Sequence, residues 1–135
     1  MRIFIDTSAL LAVLNQDDRY HQPAKQTWLE ILSAESNLFS SNYVLLETTA
    51  LLQHRFGIEA VGLFDRDIIP ILNIIWIDQT VHNLAVGILL AANQRKLSLV
   101  DCTSFHIMRD ANLIHVFSFD GHFADQGFTN LPQKY

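Results

Sequence analysis

Disulfides, backbone breakers and positive charge are all scarce in this sequence. Its 135 residues include one cysteine, three prolines, five glycines, and 9 lysines and arginines against 14 acids. A single cysteine, Cys102, excludes an intramolecular disulfide and fits a reducing compartment. It has no CxxC partner, so its expected role is that of a small buried hydrophobe. The formal charge of −5 gives no general attraction for nucleic acid or an anionic membrane. A polyanionic substrate would need a local counter-charge, which a divalent cation supplies. Long apolar runs are missing too: Ile68–Ile77 and Ala85–Ala92 are too short to cross a bilayer. The N-terminal apolar stretch is interrupted by Asp6 and followed by Asp17 and Asp18, so it is read as mature structure and not as a secretory leader. These absences lead us to expect a soluble, cytoplasmic protein with no membrane partner.

Half of the residues are hydrophobic and 17% are charged, which suits a compact core. The length is that of one domain, residues 1–135. Arg2–Ile5 has strand character and runs through Asp6, Thr7 and Ser8 into the apolar-periodic Ala9–Leu14, predicting strand, turn and helix. Tyr20–Glu35 has helical spacing, with Pro23 in its first turn. Leu38–Ser40 reads as a short strand, and Ser41 or Asn42 opens a helix over Tyr43–Phe56 that Gly57 closes. Ile58–Asp67 predicts a helix interrupted by Gly62, and the β-branched Pro70–Ile77 a buried strand. Thr80–Gln94 returns to helix, and the connection Arg95–Val100 delivers Asp101 to the start of a helix over Cys102–Ala111. Ile114–Phe119 predicts a strand with Asp120 directly after it, and Gly121–Tyr135 a loop with one short edge strand. Alternation of this kind predicts an α/β fold, a central parallel sheet of four to five short strands flanked by helices.

Four acids stand where such a fold does chemistry. Asp6 and Asp120 end strands, Asp101 begins a helix, and Glu47 is the only acid in its helix. Ligands of open α/β sheets bind beyond the carboxyl ends of the strands, where these distant residues can converge. Carboxylates that meet there repel and take up protons unless a cation neutralises them. All-oxygen ligation suits Mg²⁺ or Mn²⁺, and such a site would activate water against a phosphodiester. Each acid also has a structural reading. Asp6 and Asp101 are acceptable helix caps, Asp101 with Ser104 three residues on, while Asp120-Gly121 is an ordinary turn pair and Glu47 an ordinary surface acid.

The order of these segments carries a resemblance. Ile5-Asp6-Thr7-Ser8 near the start, Glu47 in the third helix, Leu97-Ser98-Leu99-Val100-Asp101-Cys102-Thr103-Ser104-Phe105, and Phe117-Ser118-Phe119-Asp120-Gly121-His122-Phe123 together resemble a PIN domain. Within that superfamily the chain is most similar, over essentially its whole length, to the small single-domain VapC-like toxins. The resemblance implies a PIN fold and a Mg²⁺- or Mn²⁺-dependent endoribonuclease, with Asp6, Glu47, Asp101 and Asp120 as the acidic metal-binding and catalytic quartet. It also implies that Thr7 and Ser118 orient carboxylates or water, and that Ser104 is a small polar supporting residue. Such proteins are homodimers that cut structured RNA and are held in check by a cognate antitoxin. Cys102 departs from the commoner small residue, and Asp125 competes with Asp120 for the fourth place.

Other chemistries fit less well. A phosphatase of the haloacid dehalogenase type needs an acid two residues after the first, where Ser8 stands. A response-regulator receiver needs a strand-end lysine, and Lys96 does not follow a strand. The six histidines show no metal-binding pair one helical turn apart and no Ser-His-Asp order, and His122 reads as a turn residue. The doublet Arg95-Lys96 reads as a solvated helix end. A catalytically inert PIN-like module that binds RNA or protein is the alternative from a different class.

Overall fold

β1 (Arg2–Ile5) is the middle strand of a five-stranded parallel sheet, and Ile3, Phe4 and Ile5 are buried on both of its faces. Burial on both faces explains why β1 reads as a continuous apolar run and not as an alternation. The computed structural model describes residues 1–133. The sheet order is β3-β2-β1-β4-β5, with β2 at Asn37–Ser41, β3 at Asn73–Ile75, β4 at His115–Phe117 and β5 at Thr129–Leu131. The chain moves outward from β1 through β2 to β3, then returns to pair β4 with the other side of β1. That reversal makes the gap beyond β1 and β4 the topological switch point, where α/β sheets hold their ligands.

The helices are α1 (Thr7–Leu14), α2 (His21–Ser33), α3 (Asn42–Phe56), α4 (Ile58–Leu63), α5 (Gln79–Ala92), α6 (Leu99–Asp110) and α7 (His122–Asp125). Their starts follow local chemistry. Ser41 caps α3 by accepting from the Val44 N–H, and Asp78 caps α5 by accepting from the Val81 N–H. Gly57, at φ 90°, closes α3 in a conformation that a side chain would strain. The largest fully buried side chains include Phe4, Phe64, Phe105, Phe117 and Phe123, and Cys102 is buried among them as expected.

The expected strand over Pro70–Ile77 shrinks to Asn73–Ile75, because Ile69–Ile71 forms a 3₁₀ turn. Pro70 has no N–H for a ladder, and β2 offers partners only from Phe39 to Ser41. The expected helix over Ile58–Asp67 ends at Leu63 and continues as a π-helical turn over Phe64–Ile68. The segment from Gly121 onward, read as a loop with one short edge strand, has that strand in β5 and also contains α7, while its last residues, Lys134 and Tyr135, lie outside the described residues. Among the described residues, no helix is long and apolar enough to cross a membrane.

Candidate active site

Asp6 leaves β1 and at once caps α1, so the cap and the strand-end acid of the sequence analysis are one residue. It is 4% exposed. Its Oδ2 accepts from the Ser8 N–H (3.3 Å), the Ser8 hydroxyl (2.8 Å) and the Ser118 hydroxyl (3.0 Å). Ser8 Oγ in turn accepts from the Phe119 N–H and Ser118 Oγ from the Asp120 N–H, and the two hydroxyls lie 3.1 Å apart. The three bonds converge on Oδ2, and Oδ1 takes none of them. This double bridge ties the end of β1 to the turn after β4.

Asp101 does not cap α6, contrary to expectation. Ser98 is the cap and Asp101 is the third helical residue, each side chain accepting from the other's backbone N–H at 3.0 and 3.2 Å. Such a capping box fixes the Asp101 carboxylate without consuming all its acceptor positions. Asp120 lies three residues past the end of β4 and not directly after it. Its Oδ1 accepts from the His122 N–H, and its carbonyl and that of Ser118 both accept from the Asn130 side chain. Glu47 is partly buried on α3, with Thr7 donating a hydrogen bond to its carboxylate and Thr48 in turn donating to Thr7.

The four acids stand close enough for their charges to act on one another. Burial pushes the Asp6 carboxyl up to about 6, with the Asp101 charge adding to the rise and the bonds from Ser8 and Ser118 opposing it. Burial likewise raises Glu47, helped by the charges of Asp6 and Asp120, and raises Asp101, helped by Asp120. The couplings close a loop: Asp6 with Asp101, Asp101 with Asp120, Asp120 with Glu47, Glu47 with Asp6. Among the described residues, no lysine or arginine ion-pairs with any of the four, and the only basic contact comes from His122. Its Nδ1 lies 3.1 Å from Asp120 Oδ1 and 3.7 Å from Asp101 Oδ2 yet makes no aligned hydrogen bond. Ligand atoms of Asp101, Asp120 and His122 lie within 4.8 Å of one another.

The rest of the sequence-derived set divides. Thr7 and Ser118 touch quartet carboxylates directly, while Ser104, one turn past Asp101, is buried with no hydrogen-bond partner for its hydroxyl among the described residues. Asp125 is exposed on α7 and has no part in the couplings among the four acids. Sequence reasoning missed Ser8, His122 and Asn130. Only Ser8, two residues after a capping acid, has a local signal, and in the sequence it reads merely as a helix start. Ser118→Ala should leave the Asp120 N–H without its acceptor and remove one donor from Asp6. The expected result is a loss of about 1–2 kcal/mol, seen in urea unfolding, and a further rise of the Asp6 titration followed by NMR.

A fold of this topology with acids at its switch point defines a class, and a family model confirms it. The PIN domain model matches residues 3–128, and the chain belongs to the PIN domain family. It is 32% identical over 130 residues to the 23S rRNA-specific endonuclease VapC20 of Mycobacterium tuberculosis, spanning 96% of this chain and 97% of that protein. The crystal structure of VapC20, described as a sarcin-ricin loop cleaving toxin, superposes with a TM-score of 0.80 over 93% of this chain and 95% of that one. FitAcB from Neisseria gonorrhoeae superposes with a TM-score of 0.69 over 97% of each chain at 13% identity, a likeness of fold alone.

Proposed function

We propose that this chain is a metal-dependent endoribonuclease and the toxin of a toxin–antitoxin pair, with Asp6, Glu47, Asp101 and Asp120 as the acids that hold Mg²⁺ or Mn²⁺. One observation carries this reading above the rest: among the described residues the like charges of the four acids act on one another in a closed loop, raising Asp6, Glu47 and Asp101, and no lysine or arginine ion-pairs with any of the four. Such an arrangement is costly alone and favourable around a divalent cation. The four acids offer a hard ion carboxylate oxygens, with Asp6 Oδ1 left out of the bonds that gather on Oδ2, and the His122 ring nitrogen stands beside Asp101 and Asp120. When bound, the ion supplies positive charge to the phosphate and acidifies water at the site. The chain's own part is to hold the carboxylates in register. Ser8 and Ser118 steer Asp6, Thr7 steers Glu47, Ser98 steers Asp101, and the Asn130 amide braces the turn that carries Asp120.

The likeness to VapC20 supports RNA as substrate and makes 23S ribosomal RNA the first species to inspect for cuts. A cognate antitoxin, a homodimeric state and a cytoplasmic setting belong to the same reading. Exposed Leu46, Ile58 and Leu63 supply apolar surface for such contacts. The inert-module alternative predicts little response to metal. Purified protein incubated with total cellular RNA should cut it in Mg²⁺ or Mn²⁺, stop in EDTA and recover when the ion is restored. Cleavage indifferent to chelation would remove the metal from the reading, and no cleavage in any ion would remove the enzyme.

A further inference from the structure

An open depression of about 670 Å³ adjoins the acid quartet, sharing Asp120 with it, taking in Ser8 beside Asp6, and lined also by Asp18, Arg19 and Tyr20. The segment from Asn15 to Tyr20 that carries these last three is ordered by its own side chains. Asn15 accepts from the Asp17 N–H and Asp18 from the Tyr20 N–H. His21 Nδ1 donates to the Ala12 carbonyl at 2.8 Å, pinning the loop to α1. Tyr20 lies flat on Phe119, with ring centroids 4.8 Å apart and planes within 2°. The Arg19 guanidinium caps the stack, 4.8 Å from the Tyr20 centroid. A guanidinium seated over an aromatic ring keeps N–H groups that can match a phosphate.

Arg19 is also the only lysine or arginine lining this depression among the described residues, and no carboxylate ion-pairs with it. In a chain of net charge −5 it places one positive group beside four coupled acids, where an approaching polyanion meets the strongest repulsion. We propose that Arg19 is a substrate-binding residue that grips a backbone phosphate of the RNA strand flanking the scissile bond, with Tyr20 and Phe119 as its positioning stack. This rests on the ribonuclease reading of the quartet. An acidic segment of a protein partner is the rival occupant, and the continuity of the depression with Ser8 and Asp120 favours RNA.

The test compares wild type, Arg19→Ala and Arg19→Lys on total cellular RNA in Mn²⁺, with initial rates measured across RNA and salt concentrations. Arg19→Ala is expected to raise KM roughly tenfold, the scale of one charge-assisted hydrogen bond, with kcat nearly unchanged. The slope of log KM against log salt should fall by about 0.7, the value for one contact to a single strand. Arg19→Lys should keep the wild-type slope and show an intermediate KM, because it retains the charge and loses the planar stack. An unchanged KM and slope in Arg19→Ala would overturn the proposal and leave the depression to a protein partner. A fall in kcat at constant slope would overturn it as well, assigning the loop a structural role. A wild type that cuts no RNA would fell the ribonuclease reading itself, and this inference with it.

Discussion

Asp101→Asn is expected to reduce RNA cleavage about a thousandfold while leaving the fold in place, which corresponds to roughly 4 kcal/mol of lost transition-state stabilisation. The substitution removes a charge and keeps the shape. The amide oxygen of asparagine can still accept from the Ser98 N–H, so the capping box that begins α6 survives. Burial and the Asp120 charge already disfavour the ionised Asp101. A neutral side chain there should therefore leave the metal-free protein at least as stable as wild type. Two measurements check this: cleavage of total RNA by both proteins side by side, and thermal melting of both in EDTA. An Asp101→Asn protein that cuts RNA at the wild-type rate would remove Asp101 from the catalytic set. The melting curve separates loss of chemistry from loss of structure.

The metal-free protein should also lose stability as the pH rises through the acid range, opposite to most acid-labile proteins. The Asp6 carboxyl is raised from an ordinary 3.8 to about 6 in the fold, with burial as the main cause. Between those values the native state keeps a proton that the unfolded chain has released, so stability is greatest at the low end and falls as the pH climbs to 6. Above 6 both states are ionised and the loss is complete. It amounts to on the order of 3 kcal/mol, because a tenfold change in proton affinity is worth about 1.36 kcal/mol. Asp6 is 4% exposed, so solvent screening takes little from that figure. Glu47 and Asp101 are raised in the same direction and steepen the fall. Urea unfolding in EDTA across this range tests it, with Asp6→Asn expected to flatten most of the slope. Excess Mn²⁺ should reverse the trend, because protons then compete with the ion for the same oxygens. EDTA-treated protein that grows more stable from pH 4 to 6 would contradict the raised carboxyls that burial and neighbouring charge produce here.

The parts of this architecture visible in the sequence are those with local causes. An apolar run ending in an acid marks β1 and Asp6, and alternating periodicities mark the parallel sheet. What escaped depends on neighbours across the fold. The β-branched run after Pro70 looks like a full strand, yet its length is limited by what β2 offers beside it. Ser98 sits between two leucines in what reads as a connection, which hides its capping of α6 and makes the helix look as if it starts later than it does. α7 has four residues, too few for any periodicity to show. The approach of His122 to two acids and the bracing by Asn130 arise from a turn geometry that sequence spacing does not encode. The Tyr20 stack joins segments at opposite ends of the chain.

Pairing of the first strand with the fourth, Ile3 opposite His115 and Ile5 opposite Phe117, has a consequence for the timing of synthesis. The ribosome makes Asp6 and Glu47 long before Asp101 and Asp120, so a nascent chain carries half of the acids and no partner strand to gather them. The four acids can be gathered only once β4 and the turn after it have been made. A chain broken soon after α5 lacks Asp101 and Asp120, and on the proposed reading it should cut no RNA, whatever its first half has managed to fold.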